Sequence, residues 1–287
     1  MKKIFIIIPL LLLLASCSIS DITTDTDSKT TTIDTNTNLE VTYLNVGKGD
    51  AIILNKNDTF VVIDCGYSST FNILNNALEE KGCNKIDYLI ITHFDKDHVG
   101  GAKKLINNYE IDTIYTSYLT SESNTNAYED FIEAIENNNL EDNMTIVTND
   151  ITFSLNDVYY EIFSASDITS YTNDISNNSS LCIKATYNNR SFLFAGDAEK
   201  QRIKELIKLD ISCDVIKIPH HGGIEDNSYK LIEKANPSYS IITSSDSEPE
   251  DQELVDLLLN YNSIVYLTRL GDVIVNTDGD NIEIIQE

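Results

Sequence analysis

All four histidines of this chain fall in two short clusters: His93 and His98 within Thr92-His93-Phe94-Asp95-Lys96-Asp97-His98-Val99-Gly100-Gly101, and the pair in Pro219-His220-His221-Gly222-Gly223. Imidazole nitrogens and carboxylate oxygens this close on a loop can converge on one or two divalent ions, and flanking glycines let the backbone turn tightly enough to aim them. His93 and Asp95 can point toward one ion, and Asp97 and His98 toward a second. Asp197, in Gly196-Asp197, is a candidate bridge, and a histidine of the second pair completes the set. A lone Gly-Asp at a strand end is ordinarily a turn former, so its weight comes from its order relative to the clusters. Ordinary surface histidines are the competing explanation, but a scatter of solvated side chains would not leave the rest of the chain empty of them.

The elements that must position these groups are readable from periodicity. Apolar, β-branched runs at Glu40–Asn45, Ala51–Leu54 and Phe60–Ile63 predict antiparallel strands, followed by a helix over Phe71–Lys81 that stops at Gly82. A strand over Tyr88–Ile91 then delivers the first histidine cluster, and Ala102–Asn107 reads as a helix start behind Gly100-Gly101. Further on, Ile111–Tyr115 reads as a strand, Ala127–Ile135 as a helix and Thr145–Tyr160 as a set of short strands. Leu181–Thr186 and Ser191–Ala195 form a hairpin about Asn188-Asn189 that ends at Asp197. After a helix over Ala198–Lys208, the strand Asp214–Ile218 carries the second pair of histidines. Helices at Tyr229–Lys234 and Glu253–Leu259 alternate with strands at Tyr239–Ile242, Ile264–Thr268 and Val273–Asn276. The pattern predicts a single domain of two packed sheets with helices outside.

Composition bounds the function. With 46 acidic against 20 basic residues, the chain has a formal charge of −26, which argues against the broad basic face of a non-specific nucleic-acid binder. Such a substrate would have to be met locally, through metal ions and a few lysines. Lys2 and Lys3 precede an apolar run from Ile4 to Leu14, too short to span a bilayer but of signal-peptide length. Leu14-Ala15-Ser16-Cys17 resembles a bacterial lipobox, so residues 1–17 are expected to be a lipoprotein signal with Cys17 as the lipid anchor. Residues 18–38, almost wholly Thr, Asp, Ser and Asn, read as a disordered tether, and residues 39–287 as the folded domain held outside the cytoplasmic membrane. Cys65, Cys83, Cys182 and Cys213 contain no C-x-x-C pair, which excludes a zinc knuckle and leaves one disulfide open.

The motifs together resemble the metallo-β-lactamase fold. Its H-x-H-x-D-H signature is matched by His93 to His98, except that Asp95 stands where a second histidine is usual. Leu44-Asn45-Val46-Gly47-Lys48-Gly49-Asp50, Ile63-Asp64-Cys65-Gly66, Asn178-Ser179-Ser180-Leu181 and Ala195-Gly196-Asp197-Ala198-Glu199 bring the resemblance closer to the extracellular hydrolase domain of ComEC-type competence proteins. The resemblance implies an α/β fold of αββα type, two mixed sheets flanked by helices, with a site for two divalent ions. His93, Asp95 and Asp197 would hold the first ion; Asp97, His98, Asp197 and His221 the second, His221 being preferred because a glycine follows it. Asn178 is the nearest match to an expected third-motif histidine, so the first site would be harder and weakly occupied, with Mn²⁺, Zn²⁺ or Mg²⁺ all admitted.

The function expected from this set is phosphodiester hydrolysis, as a nuclease or other phosphodiesterase, by a two-metal-activated water attacking phosphorus in line. Asp97 and His220 are the catalytic candidates; His220 either meets a phosphoryl or leaving-group oxygen or only orients the site. Asp64 is expected to buttress the metal loop or to cap the turn after it, and Asn45–Asp50 to form a tight turn. Lys184 and Arg190 lie close enough in sequence to meet a phosphate but read better as solvated charge. Two alternatives stand beside this reading: hydrolysis of another envelope ester, a phosphocholine or carboxylic ester, and a surface-binding lipoprotein with little catalysis.

Overall fold

The computed structural model describes residues 38–287 apart from 124 and 167. The expectations for the signal, the anchor at Cys17 and the tether therefore lie, but for Asn38, outside the described residues. Strand β1 (Leu39–Tyr43) opens the fold, followed by β2 (Ala51–Lys56) and β3 (Thr59–Cys65), antiparallel in turn. From β3 the sheet continues in parallel through β4 (Lys85–Ile91), β5 (Glu110–Thr116) and β6 (Met144–Ile146). Strands β7 (Ile151–Leu155), β8 (Val158–Phe163), β9 (Cys182–Tyr187) and β10 (Arg190–Phe194) start the second sheet as an antiparallel meander. It turns parallel through β11 (Val215–Lys217), β12 (Tyr239–Ile242) and β13 (Ile264–Leu267). Last, β14 (Val273–Thr277) and β15 (Ile282–Gln286) return to the first sheet beside β1. The result is an eight-stranded and a seven-stranded sheet.

Helices α1 (Phe71–Glu80), α2 (Ala102–Asn108) and α3 (Asn126–Asn137) cover the first sheet. The second is covered by α5 (Lys200–Leu206), α6 (Ser228–Ala235) and α7 (Gln252–Asn260), while the one-turn helix α4 (Ile175–Asn178) precedes β9. Strand residues alternate between two buried faces: Ile53 and Val62 pack under the helices of the first sheet, whereas Ile52, Leu54, Val61 and Ile63 pack against Phe192, Phe194 and Val215 of the other sheet. Burial on both faces explains why these strands read as continuous apolar runs rather than as alternation. This is the expected αββα sandwich.

The stretch Thr145–Tyr160 holds the expected short strands, divided between the sheets: β6 belongs to the first, and β7 and β8 to the second, so the chain crosses between them at Val147–Asp150. Strand β15 was missed, because its pattern is that of a half-exposed edge, with Glu283 and Ile285 facing outward. The two-residue turn at Asn188-Asn189 does join β9 and β10, with Asn188 in the left-handed region.

The parallel runs matter for the site. Strands β3, β4, β10, β11 and β12 all end on one edge of the sandwich, and the loops leaving them carry the candidate residues. Crevices at the carboxyl ends of parallel strands are where open α/β sheets place their ligands. Among the described residues, no helix is long and apolar enough to cross a membrane.

Candidate metal centre

The loop after β4 brings His93 and His98 to the edge, the β10 loop brings Asp197, and the β11 loop brings His221. Asp97, His98, Asp197 and His221 each offer one ligand atom within 4.8 Å of the others. Asp197 Oδ2 lies 3.2 Å from His98 Nε2 and 3.0 Å from His221 Nε2, and Asp97 Oδ2 lies 3.4 Å from His221 Nε2. The two imidazole nitrogens themselves face each other at 3.3 Å. Backbone strain supports this convergence: His220 and His221 both have positive φ, of 49° and 53°, which for non-glycine residues persists only where surrounding structure enforces it. Gly222 follows at φ 87°, and a Cβ there would fall 2.7 Å from Ile242, so glycine is required for the turn.

Outer partners fix which nitrogen each histidine presents. His98 donates from Nδ1 to Asp64 Oδ2 at 2.8 Å, and His221 donates from Nδ1 to the Thr243 carbonyl at 3.0 Å. Thr92 Oγ1 donates to Asp64 at 2.7 Å, so it is left to accept from His93 Nδ1 at 3.1 Å. All three rings therefore turn Nε2 inward, the nitrogen a metal ligand presents once it has given up its proton. His93 Nε2 is buried and has no hydrogen-bond partner. A buried polar atom left without a partner is costly, and a cation would satisfy it, so the donor set fits a divalent metal.

The charges are balanced from behind. Lys217, fully buried, makes an ion pair with Asp50 and reaches Asp197 Oδ1 at 3.4 Å and the Gly196 carbonyl at 3.0 Å. Asp50 in turn accepts from Thr243 Oγ1 at 2.7 Å, closing a network back to His221. Burial alone would lower the pKa of His98 and of His221, but the Asp197 carboxylate, with Asp64 beside His98 and Asp97 beside His221, raises both. Burial would raise Asp197, yet His221, His98 and Lys217 hold it well below the usual carboxylate range. Asp97 is likewise held low against its burial, chiefly by His221. His93 goes the other way, lowered by burial and by the neighbouring His98.

His93 and Asp95 form a looser half. Asp95 Oδ2 is 3.9 Å from His93 Nε2, its side chain is 38% exposed, and its other oxygen accepts from Ser176 Oγ at 2.6 Å. Asn178 is not a ligand: its Oδ1 accepts from the backbone N–H groups of Gln201 and Arg202 at 3.1 and 2.9 Å, capping α5, and its Nδ2 donates to carbonyls of residues 173 and 174. The side chain that reaches Asp95 is Ser176, which sequence reading passed over. His220 stands outside the four converging groups, with Nδ1 3.3 Å from Glu225 and 3.4 Å from Glu199.

Lys184 and Arg190 are not at the site; Lys184 reaches the Asp210 carbonyl, and Arg190 pairs with Asp214. The four cysteines among the described residues are buried and free, so no disulfide forms between them. Asp64 does buttress the metal loop, through the Thr92 N–H at 2.8 Å as well as through His98. Asp50 and Lys217 were the groups sequence reading missed. A lysine inside the buried run Val215–Ile218 was the available signal, since an unpaired charge does not survive there. The turn before Asp50 does more than reverse the chain: Gly49 packs so close that a Cβ would meet the Asp97 carbonyl at 2.7 Å, and Asp50 N–H donates to that same carbonyl.

Residues 44–243 match the model of the metallo-beta-lactamase superfamily. The chain belongs to that superfamily. Among curated relatives, ComE operon protein 3 of Bacillus subtilis (strain 168) is 25% identical over 232 residues, covering 71% of this chain and 28% of the relative. Recombination protein 2 of Haemophilus influenzae (strain ATCC 51907 / DSM 11121 / KW20 / Rd) is 26% identical over 257 residues, 86% of this chain and 30% of the relative. Both relatives are of ComEC type, in line with the sequence motifs, and this chain spans less than a third of either. Among solved structures, a variant of CmlA β-hydroxylase superposes with a TM-score of 0.52 at 13% identity, over 87% of this chain and 54% of that one. That likeness speaks for the metallo-beta-lactamase fold alone.

Proposed function

We propose that the chain is a metal-dependent phosphodiesterase, lipid-anchored at Cys17 on the outer face of a bacterial membrane, with nucleic acid among its expected substrates. The observation that carries the phosphodiester reading is the donor set. Three carboxylates, Asp95, Asp97 and Asp197, stand beside three imidazoles, and Asp95 sits beside His93 where the family signature has a further imidazole. An oxygen-rich set suits Mn²⁺ or Mg²⁺, ions that also take phosphate oxygens, more than an all-imidazole set does. One relative carries recombination in its name, and recombination acts on nucleic acid.

Divalent ions held by these side chains supply, when bound, a water of lowered pKa and charge stabilisation for the attacking and departing oxygens. The chain's own groups prepare that setting. Asp64 and Thr243 hold Nδ1 of His98 and His221 so that their Nε2 atoms turn inward, and Lys217 takes Oδ1 of Asp197 so that Oδ2 faces the histidines. Burial of His93, His98, Asp197 and His221 keeps bulk water from the inner side. His220, half-buried at the mouth and held at Nδ1 by Glu199 and Glu225, offers Nε2 to a phosphoryl or leaving-group oxygen. The charge of −26 favours a second reading, hydrolysis of another envelope ester, because it repels long polyanions.

The test is a panel of bis-nitrophenyl phosphate, DNA, RNA, phosphocholine and carboxylic esters, with Mn²⁺, Mg²⁺ or Zn²⁺ supplied. Hydrolysis of phosphodiesters that disappears in Asp97→Ala is expected; turnover confined to carboxylic esters, or none at all, sinks the reading. A Cys17→Ser chain should leave the membrane fraction, and its retention there would refute the anchor.

A further inference from the structure

We infer that the site engages one phosphodiester group locally and prefers short substrates to long polyanionic strands. The inference rests on the phosphodiesterase reading and narrows it. Beside Asp95 and Asp97 lies a cleft of about 440 Å³, walled by Glu122, Thr125 and Asn126, with exposed Lys96 as its single cation among the described residues. On the side of His220 lies a smaller one of about 250 Å³, lined by Glu199, Glu225 and Asp174 together with Lys200 and Lys204. Past Glu225 the smaller cleft adjoins one of about 740 Å³ whose charged lining, Asp226, Glu253 and Asp256, is acidic as well.

The cations around the mouth are mostly committed. Lys200 is ion-paired with Asp226, Lys48 lies 3.7 Å from Glu248, and Arg269 pairs with Glu250 and Asp246 at 3.2 and 3.3 Å. Lys96 and Lys204 are the cleft-lining cations without an ion pair among the described residues. A strand reaching past the central phosphodiester would thus lay its next phosphates over Glu122 on one side and over Asp174 and Glu225 on the other, Glu199 counting for less because burial pushes its carboxyl up to about 7. Proteins that follow nucleic acid through a basic track gain affinity with each phosphate neutralised and lose it as salt rises. Here the outlying phosphates meet like charge, which salt screens within about 10 Å at 0.1 M, so the dependence inverts.

The experiment compares a dinucleotide with a single strand of about 30 nucleotides at about 50 and 200 mM salt, with Mn²⁺ saturating. Cleavage is measured as kcat/KM per bond, and binding by anisotropy of the same labelled oligomers. The dinucleotide should be the better substrate per bond at low salt by about tenfold, and the gap should close as salt rises. Glu122→Gln, which keeps a hydrogen-bond acceptor for the Ser176 N–H but removes one charge, should narrow the gap by about threefold. A long strand that is cut or bound more tightly per bond, and weakened by salt, overturns the inference. If neither oligomer is cut, the phosphodiesterase reading fails, while the anisotropy series still decides the length preference.

Discussion

Around Asp197 Oδ2, the nitrogens of His98 and His221 lie at 3.2 and 3.0 Å, every ring is held from behind, and the charges are matched by Lys217. A few ångströms along the same loop, His93 and Asp95 stand 3.9 Å apart; Asp95 leans on Ser176, and His93 Nε2 has no partner. The difference lies in where each ligand sits. His98, Asp197 and His221 are buried on loops anchored to parallel strands, whereas Asp95 is partly exposed and its hydroxyl partner comes from the one-turn helix α4. A preorganised half needs little rearrangement to take an ion, and a loose half must turn Asp95 away from Ser176 to do so. Unequal affinity within one centre follows from that difference.

The contrast can be broken most severely at its hinge. Asp197→Ala removes the carboxylate that stands between His98 and His221, and hydrolysis should fall by on the order of 10³-fold or more, read as kcat/KM on bis-nitrophenyl phosphate. Lys217→Met leaves Asp50 buried without its lysine and Asp197 with only the two histidines to balance it. The metal-free protein should lose about 3–5 kcal/mol in urea unfolding, and part of that should return when Mn²⁺ is added. Asp64→Asn spares every direct ligand but loosens His98, so metal affinity should drop by about 10- to 100-fold, measured against a chelator. Asp95→His supplies the imidazole that the family signature has at this position and should strengthen Zn²⁺ at the loose half by about tenfold relative to Mn²⁺.

The smallest effect is a pH dependence with a defined sign. His98 and His221 have pKa values raised above the ordinary imidazole value, and the metal needs their Nε2 bare, so binding at the tight half expels protons. Metal affinity should rise with pH from about 6.5 upward, while Asp97 and Asp197, held low, are already ionised there and add no slope. The metal-free protein should show the opposite trend. A raised folded-state pKa contributes stability that is complete below the unfolded value and is lost as pH climbs through the folded one. Calorimetry of the two forms across pH 5–9 reads both signs.

Much of this was legible in the sequence, and the reasons are local. Histidine and aspartate placed two or three apart beside glycines announce a loop built around ligands, and apolar runs between turn residues announce strands buried on both faces. What escaped was set by tertiary packing. Asn178 carries no local sign that it caps α5 across 23 residues, and Ser176 no sign that it meets Asp95 across 81. Strand β15 has the weak alternation of an edge, and the crossing between sheets after β6 follows from pairing partners far along the chain. Asp50 looked like the end of a turn because its partner Lys217 is distant in sequence, although that lysine in an apolar strand was itself a visible anomaly.

Stepwise chelator-competition titration of Mn²⁺ into the wild type, Asp97→Ala and Asp95→Ala separates the preorganised half around Asp197 from the loose half at His93 and Asp95. Two resolved binding steps are expected in the wild type, with Asp97→Ala abolishing the tight step and Asp95→Ala removing only the weak one. Two equal steps, or loss of the tight step in Asp95→Ala, would contradict it.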